Sequence, residues 1–262
     1  MSTPAKPISI QTYTVRQYCK TPDDTRRVIR ELADIGYAGI EAGVPKDMTA
    51  ATFRAFLNDL GMKVSSAWAQ PTQDNVNKLV DTAKELGFNC YAGCFGPDQF
   101  KTLDEVKKTA EAWETMAQLL EPHGLKLCYH NHWWEFDPCE DLDDGRHAWD
   151  VLLERAPTLA CEIDLYWASN FGAVDVPALV RRYAARTPLV HVKDGPLVKG
   201  QPHVAVGAGK MDLRACVAAA DPAALQWLVV ELDECAPGTD MMQHVRDSYT
   251  WLTESGLGYG HA

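Results

Sequence analysis

The sequence has no Cys-x-x-Cys pair, no long apolar run and no excess of positive charge. A helix that crosses a membrane needs about 20 consecutive apolar residues, so we expect no membrane partner. Lys and Arg number 25 against 36 Asp and Glu, which gives a formal net charge of −11. Proteins that follow nucleic-acid phosphates usually carry a basic face, so we expect no nucleic-acid partner. The charge leaves a small polar substrate open.

Eight cysteines are present, and three of them, Cys90, Cys128 and Cys161, lie inside apolar strand-like runs. A reduced cysteine in such a run behaves as a small hydrophobic residue. Residues 1–6 are polar and lack the apolar segment of a secretory leader. We therefore expect buried thiols in a cytoplasmic protein rather than a disulfide framework.

The chain alternates regularly between strand-like and helix-like patterns. The strand-like runs lie at residues 8–13, 37–41, 63–69, 89–94, 126–132, 159–164, 189–193 and 227–232. The helix-like patterns lie at residues 22–34, 49–60, 74–86, 102–123, 146–155, 177–185, 212–220 and 239–254. Thr21 and Pro22 predict the start of the first helix, and Gly36 predicts its end. Eight such units favour an α/β fold with a single (β/α)8 barrel over an open sheet. No linker interrupts the pattern, so we expect one domain over residues 1–262.

Four of the later strand-like runs end in residues of metal-binding type. These residues are His130 and His132, Asp164, His191, and Glu231. Parallel strands that alternate with helices are joined by crossovers, so their carboxyl ends point the same way. Side chains from distant parts of the sequence can then meet at one mouth. Carboxylates and imidazoles gathered there suit a divalent cation.

Six motifs spread from the first strand to the last resemble one known superfamily. They are QTYTVR at 11–16, YAGIE at 37–41, YHNHWWEF at 129–136, IDLYW at 163–167, HVKD at 191–194 and VELD at 230–233. By their order and spacing the chain resembles the xylose-isomerase-like TIM barrel superfamily, in its sugar phosphate isomerase/epimerase branch. The resemblance covers nearly the whole chain, and it is more specific for the superfamily than for any one reaction.

The resemblance implies a divalent cation at the carboxyl-terminal mouth of the barrel. Carried over position by position, it assigns Asp164, His191 and Glu231 as ligands from strands six, seven and eight. Oxygen and nitrogen ligands without thiolates suit Mn, Co, Mg or Zn. The resemblance also implies a small-molecule substrate, a sugar or a cyclitol.

Strand five is where the chain departs from the resemblance. Many epimerases of the superfamily have a glutamate there, whereas this chain has two histidines on one strand face, His130 and His132. We predict His130 as the fourth metal ligand. Glu231 is the predicted proton-transfer group, and its partner on the other face of the substrate is His132 or Glu135. Such an unequal pair suits aldose–ketose isomerisation through an enediolate, and equally β-elimination beside a ketone.

Four further residues are candidates for contact with the substrate. Trp68 and Trp167 lie near strand ends, where aromatic rings pack against the C–H faces of sugars or cyclitols. The alternative for each ring is that it packs at the rim of the barrel and has no contact with the substrate. Glu41 ends the second strand and either contacts the substrate or pairs with Arg16. Lys193, the fourth candidate, has its own alternatives.

Lys193 either pairs with Asp194 on the rim or holds an oxyanion or a phosphate of the substrate. The rim pair is the preferred interpretation. The segment VGAGK at 206–210 is a weak candidate for a phosphate site, and we prefer a substrate without phosphate. Glu162 is expected to face the helix layer and is left out of the site.

Several functions are compatible with this pattern. The leading one is a divalent-metal-dependent isomerase or epimerase that acts on a sugar or keto-sugar by acid–base proton transfer. The second is a lyase or dehydratase that acts on an inosose or a 3-keto-glycoside on the same scaffold. A barrel endonuclease for damaged DNA is third, because the acidity and the sparse histidines argue against it. A non-catalytic binding barrel would leave the ligand set unexplained. A homo-oligomer stays open at this point.

Overall fold

The computed structural model describes residues 4–261. Residues 1–3, part of the polar N-terminal stretch, and residue 262 lie outside the described part. Strands β1 to β9 span Lys6–Gln11, Gly39–Glu41, Lys63–Trp68, Cys90–Gly93, Lys126–His130, Ala160–Asp164, Leu189–Val192, Trp227–Val230 and Gly258–Tyr259. Helices α1 to α9 span Pro22–Ile35, Ala50–Asp59, Val76–Leu86, Leu103–Leu120, Ala148–Arg155, Leu165–Ala168, Val176–Tyr183, Leu213–Ala218 and Met241–Glu254. Short 3-10 helices occupy Thr12–Tyr18, Pro97–Phe100, Glu121–His123, Trp134–Phe136, Asn170–Gly172 and Ala184–Arg186.

Strands β1 to β8 form a closed parallel barrel. Their order is β2-β3-β4-β5-β6-β7-β8-β1, and β1 pairs again with β2, which closes the circle. Each strand from β1 to β7 is followed by at least one helix on the outside, and α9 follows β8. The predicted (β/α)8 fold is confirmed. The short strand β9 adds to the start of β1 beside Lys6 and Pro7, and the sequence pattern did not predict it because two residues carry no period.

The first helix shows why the sequence sets its boundaries. The Thr21 side chain accepts a hydrogen bond from the backbone N–H of Asp24, and Pro22 occupies the first turn. Gly36 ends the helix with φ at 118°, a left-handed conformation that glycine adopts without steric cost. Both predicted boundary signals of this helix are confirmed.

Several strands end one or two residues before their predicted ends at the mouth, and two differences there bear on the candidate site. Strand β5 ends at His130, so His132 lies in the following loop rather than on the strand. Helix α6 begins directly after β6, because the Asp164 side chain accepts the backbone N–H of Trp167 as an N-cap. Four residues are too few for a helical period, so the pattern at 163–167 did not predict this turn.

Apolar side chains fill the layer between the barrel and its helices, where Trp113 and Trp149 are fully buried. A smaller cluster of buried residues comes from neighbouring strands, and alternation places it inside the barrel. Its members are Cys90, Ala92, Cys128, Ala160 and Leu189. The expected buried thiols of Cys90, Cys128 and Cys161 are all present as free cysteines. Between residues 4 and 261, no helix has both the length and the apolar character needed to cross a membrane.

Candidate active site

Four side chains at the carboxyl ends of β5 to β8 converge on one point. They are His130, Asp164, His191 and Glu231, the residues predicted as metal ligands. Each offers one ligand atom, and these atoms all lie within 4.8 Å of one another. Asp164 pairs in register with His191 across β6 and β7, which fixes two of the four side by side. All four are buried.

The charges of this cluster suit a bound cation. Burial lowers the pKa of His130 well below its ordinary value, so its imidazole is neutral and keeps a free lone pair. Burial raises the pKa of Asp164 to about 6. It would also raise the pKa of Glu231, but Lys193 and His191 hold that pKa well below its ordinary value. Burial would lower the pKa of His191, but the carboxylates of Glu162, Glu41 and Glu231 outweigh burial and raise that pKa well above its ordinary value. The cluster therefore offers one ionised carboxylate, a second that ionises near neutral pH, a neutral imidazole, and a second imidazole that must release its proton before it can bind a cation.

The fit to a divalent cation also rests on one oxygen of Asp164. In the described part of the chain, Asp164 Oδ2 has no hydrogen-bond partner although it is fully buried. Its contact with Lys193 Nζ, at 3.0 Å, has the geometry of an ion pair rather than of a directed hydrogen bond. A buried carboxylate oxygen without a directed hydrogen bond has room for a further electrostatic partner. A cation bound between the carboxylates and imidazoles would be such a partner beside the Lys193 ammonium.

Glu162 lies inside the barrel, so the expectation that it faces the helices is wrong. Residues two apart on a strand point to the same side, so the Glu162 side chain points to the same side of β6 as that of Asp164. Its Oε2 lies 3.1 Å from His130 Nδ1 and 3.2 Å from His191 Nε2. Burial, and then the charge of Glu41, raise the pKa of Glu162 well above its ordinary value. Glu162 thus orients both imidazoles, and with Glu41 and His191 it forms a second, overlapping group of metal-binding type.

Lys193 points into the site, so the preferred rim pair with Asp194 is wrong. Its Nζ lies 3.0 Å from Asp164 Oδ2, 3.0 Å from Glu231 Oε2 and 2.7 Å from Asp233 Oδ2. Burial lowers the pKa of Lys193, but the three carboxylates outweigh it and raise that pKa above its ordinary value. The ammonium also lies 4.9 Å from the centre of the Trp167 ring. Lys193 is a buried, permanently charged member of the cluster.

Asp194 organises the loop after β7 instead of pairing with a lysine. Its carboxylate accepts backbone N–H groups from Gly195, Gly207, Gly209 and Met211, at 2.8 to 3.1 Å. A Cβ at position 209 would lie 2.0 Å from Asp194 Oδ1, so this glycine permits the close approach. The amides of the weak phosphate candidate at 206–210 therefore already bind an anion of the protein itself. The structure gives that segment no free phosphate cradle.

Glu41 is buried in a network of donors rather than paired with Arg16. It accepts hydrogen bonds from Gln11 Nε2, from Ser66 Oγ and, at 2.7 Å, from Trp68 Nε1. Its Oε1 also lies 3.2 Å from His191 Nε2. Arg16 instead stacks on the Tyr13 ring and donates to two backbone carbonyl oxygens. Of the two alternatives for Glu41, the pairing with Arg16 is wrong, and substrate contact stays a prediction.

His132 lies in the wall of the mouth, whereas Glu135 lies behind it. Burial lowers the pKa of His132 to about 4, so the imidazole is neutral. Its ring stacks on Trp134 at 4.1 Å. Glu135 is fully buried and accepts the backbone N–H of His132 at 2.8 Å and the hydroxyl of Tyr129 at 3.2 Å. Burial raises the pKa of Glu135 to about 8, so its carboxyl is largely protonated and anchors the loop.

A cavity of about 850 Å³ opens over the cluster. Its walls include His130, His132 and Glu231, and three of the predicted substrate contacts, Glu41, Trp68 and Trp167. The fourth predicted contact, Lys193, is not part of the wall. This volume lies in the upper part of the range for small-molecule sites, roughly 300–1,000 Å³.

Three residues beside the cluster were not predicted from the sequence. Glu162, Asp233 and His203 all lie within 3.7 Å of a charged or ionisable member of the cluster. The signal for two of them was present in the sequence, since Glu162 has the parity of Asp164 and Asp233 has that of Glu231. His203 comes from the long loop after β7, where no periodicity could place it.

Comparisons with known proteins agree with this architecture. The sequence model of a family described as xylose isomerase-like TIM barrel matches residues 29–254. An inosose dehydratase of Klebsiella pneumoniae (strain 342) is 20% identical over 193 residues. That match covers 64% of this chain and 63% of the relative, so the chain spans slightly less than two thirds of the curated relative.

Solved structures share the fold over nearly the full length. A sugar phosphate isomerase/epimerase from Parabacteroides distasonis ATCC 8503 has a TM-score of 0.75 and 23% identity, covering 95% of this chain and 94% of that one. A protein named IOLI, described with a binding zinc atom, has a TM-score of 0.67 and 14% identity, covering 96% and 98%.

Proposed function

Because this chain belongs to the xylose isomerase-like TIM barrel family, we propose that it is a divalent-metal-dependent isomerase or epimerase of a sugar or keto-sugar. One observation carries the proposal. The buried cluster of His130, Asp164, His191 and Glu231 lies at the base of a cavity of about 850 Å³. A buried set of carboxylates and imidazoles under an open cavity is the arrangement that metal-assisted chemistry on a small polar molecule requires.

The four clustered residues would hold the cation. His130 is neutral and Glu231 is ionised, as ligands must be, whereas His191, whose pKa neighbouring carboxylates raise, would release a proton when the cation binds. Glu162 lies beside the imidazoles of His130 and His191 and would fix their orientation. The bound zinc of the structurally similar IOLI protein supports this proposal. When bound, the cation supplies Lewis acidity toward a carbonyl oxygen.

Two groups of the cavity wall would transfer protons to and from the substrate. Glu231 is ionised and would take the proton from the carbon beside the carbonyl, which leaves an enediolate. His132 also lines the cavity. It is the better candidate for the second group, because Glu135 accepts the His132 backbone N–H from behind and is absent from the cavity wall. Glu135 then positions the His132 loop.

A dehydratase acting on an inosose is the second candidate. The inosose dehydratase relatives are the observation in its favour. The first step would be the same, since Glu231 would remove a proton beside a ketone. The reactions then differ, because a lyase expels water or another leaving group, whereas an isomerase returns the proton.

Solvent-deuterium exchange tests the proposal. The purified protein is first analysed for metal, and sugars, keto-sugars and inososes are then incubated with it in deuterated buffer. Glu231→Gln should lower deuterium incorporation by roughly 10²–10⁴-fold, and the metal content should be measured beside it, since Glu231 is also a proposed ligand. Glu254→Gln, on an exposed residue at the end of α9, is the matched control.

The products separate the two candidates. An isomerase or epimerase conserves the mass of the substrate, apart from deuterium, whereas a dehydratase releases water. Turnover without any deuterium on carbon would contradict acid–base transfer and favour a direct hydride shift.

A further inference from the structure

One side of the cavity is built from aromatic rings rather than from polar groups. We call Trp133, Trp167 and Phe171 the aromatic wall. The ring centres of Trp133 and Trp167 lie 4.8 Å apart, and Phe171 lies 6.2 Å from Trp133 and 6.0 Å from Trp167. All three rings line the cavity and stay partly exposed. They come from two separate loops, after β5 and after β6.

The aromatic wall extends away from the metal-binding cluster. Trp167 borders the cluster, because its ring lies 4.9 Å from Lys193 Nζ. Trp133 and Phe171 both contact the Trp167 ring, and Trp133 also lies 6.3 Å from the His132 ring. The cation over these two rings is Lys199, with Nζ at 5.7 and 5.9 Å from their centres. Lys199 belongs to the loop after β7, so three loops contribute to this end of the cavity.

The turn that carries Phe171 has a strained backbone. Asn170 and Phe171 have φ values of 42° and 58°, a left-handed conformation that is unfavourable for a bulky side chain. The Asn170 side chain holds the turn by donating to the Phe136 carbonyl oxygen and to the Asp137 carboxylate. Such strain persists where the surrounding structure enforces it, often at a ligand clamp. Here it holds the Phe171 ring against the cavity.

The cavity is larger than a single sugar ring needs, so part of the aromatic wall would not contact a small substrate. A single polyol ring over His130 and Glu231 would fill only part of a cavity of about 850 Å³. Trp133 and Phe171 also line this cavity and are partly exposed, so their rings offer a contact surface beyond that first ring. Exposed rings that converge on a cavity are typical of a binding surface for an apolar or planar group.

We propose that the aromatic wall is a second subsite, which binds a ring attached to the reacting sugar. The substrate is then a glycoside-like molecule whose substituent has a flat or apolar face. An aromatic aglycone and a second sugar share this chemistry, since both stack on indole rings. The assignment rests on the proposed function only for the identity of the reacting ring.

Ligand affinities test the subsite without any need for turnover. The metal-loaded protein is titrated with methyl and 4-nitrophenyl β-glycosides of glucose, galactose and xylose, and with the disaccharide cellobiose, by calorimetry. Aromatic contacts contribute about 0.5–1.5 kcal/mol, so a ring-bearing ligand should bind roughly 2- to 13-fold more tightly than its methyl glycoside. A preference for the nitrophenyl ligands identifies an aromatic aglycone, and a preference for cellobiose identifies a second sugar.

Variants locate the preference on the wall. Trp133→Ala and Phe171→Ala should each abolish it while leaving the affinity for methyl glycosides unchanged, and Trp133→Phe should restore most of it. Tyr259→Ala, an exposed aromatic residue on β9 at the opposite end of the barrel, should change nothing. Three outcomes would overturn the subsite. They are equal affinities for all ligands, no binding of either ring-bearing class, and a preference that survives both alanine variants. If the wild-type protein shows the ring preference but exchanges no deuterium into any sugar, keto-sugar or inosose, the proposed function is overturned and the subsite is not.

Discussion

At the residue scale, Lys193 sets the charge balance of the site. One ammonium faces the carboxylates of Asp164, Glu231 and Asp233, at 3.0, 3.0 and 2.7 Å. A lysine buried without such partners tends to lose its proton, whereas these carboxylates keep it charged. In return, Lys193 keeps Glu231 ionised. The proposed base therefore depends on a residue outside the cavity wall.

Replacing Lys193 with methionine should move the acidic limb of the pH–rate profile. The ammonium lowers the pKa of Glu231, so its loss raises that pKa and leaves the base protonated up to a higher pH. We expect a shift of at least about one pH unit, which corresponds to about 1.4 kcal/mol, in the rate of deuterium incorporation. Lys210→Met, on an exposed loop residue, should leave the profile unchanged. An unmoved acidic limb in Lys193→Met would show that another group sets the pKa.

Glu135→Gln should stabilise the protein more at high pH than at low pH. The folded pKa of Glu135 is about 8, above the roughly 4.3 of an unfolded chain. Its contribution to stability is thus complete below about pH 4 and is lost as the pH rises through 8. Glutamine keeps an acceptor for the His132 amide and does not ionise. Between pH 5 and pH 8, the free energy of unfolding of the variant minus that of the wild type should rise by more than about 1 kcal/mol, measured with urea. A constant difference would contradict a protonated Glu135.

At the element scale, the loop after β7 is ordered by one side chain. Asp194 accepts four backbone N–H groups from residues between 195 and 211. A long loop without secondary structure has few other partners for its amides. The same loop delivers Lys199 and His203 to the cavity, so its order decides the shape of the mouth.

Asp194→Ala should destabilise the protein and loosen this loop. Hydrogen bonds to a charged group contribute about 1.5–3 kcal/mol each, so the loss of four should cost more than about 3 kcal/mol. Asp194→Asn keeps one carbonyl oxygen and should cost less. Urea unfolding measures the stability, and limited proteolysis should cut between residues 195 and 211 first. Asp98→Ala, an exposed aspartate, controls for the loss of a surface charge, and resistance of that loop in Asp194→Ala would refute its role.

At the scale of the whole molecule, a cation would join four strands. The proposed ligands come from the ends of β5, β6, β7 and β8, which lie side by side in half of the barrel. The unfolded chain does not bring these ligands together, so metal binding adds to the stability of the folded state.

Removal of metal should therefore lower the melting temperature. At a metal concentration 100-fold above Kd the stabilisation is about 2.7 kcal/mol, which corresponds to about 5–10 °C for a chain of this size. Calorimetry of the wild type with metal and after EDTA treatment measures the difference. Asp164→Ala should lack the ligand set and show no response to EDTA. A wild-type melting temperature that EDTA leaves unchanged, with metal analysis negative, would contradict the proposed site.

The sequence by itself determined the order of the elements and the half of the barrel that holds the site. Alternating strand and helix periods predicted eight units, and Thr21, Pro22 and Gly36 marked the first helix because capping depends on neighbouring residues alone. Polar residues at strand ends predicted that His130, Asp164, His191 and Glu231 meet, since parallel strands share one direction.

Only the tertiary structure decided which polar groups pair with one another. Lys193 turned inward to Asp233 and its neighbours, whereas Asp194 turned to the amides of its own loop. These two residues follow the end of β7, and they had opposite partners because consecutive side chains of an extended segment point to opposite sides. Likewise, the contacts of Glu41 and Phe171 join strands or loops far apart in the chain. Such contacts depend on barrel closure and on loop geometry, and neither has a period that a sequence pattern could reveal.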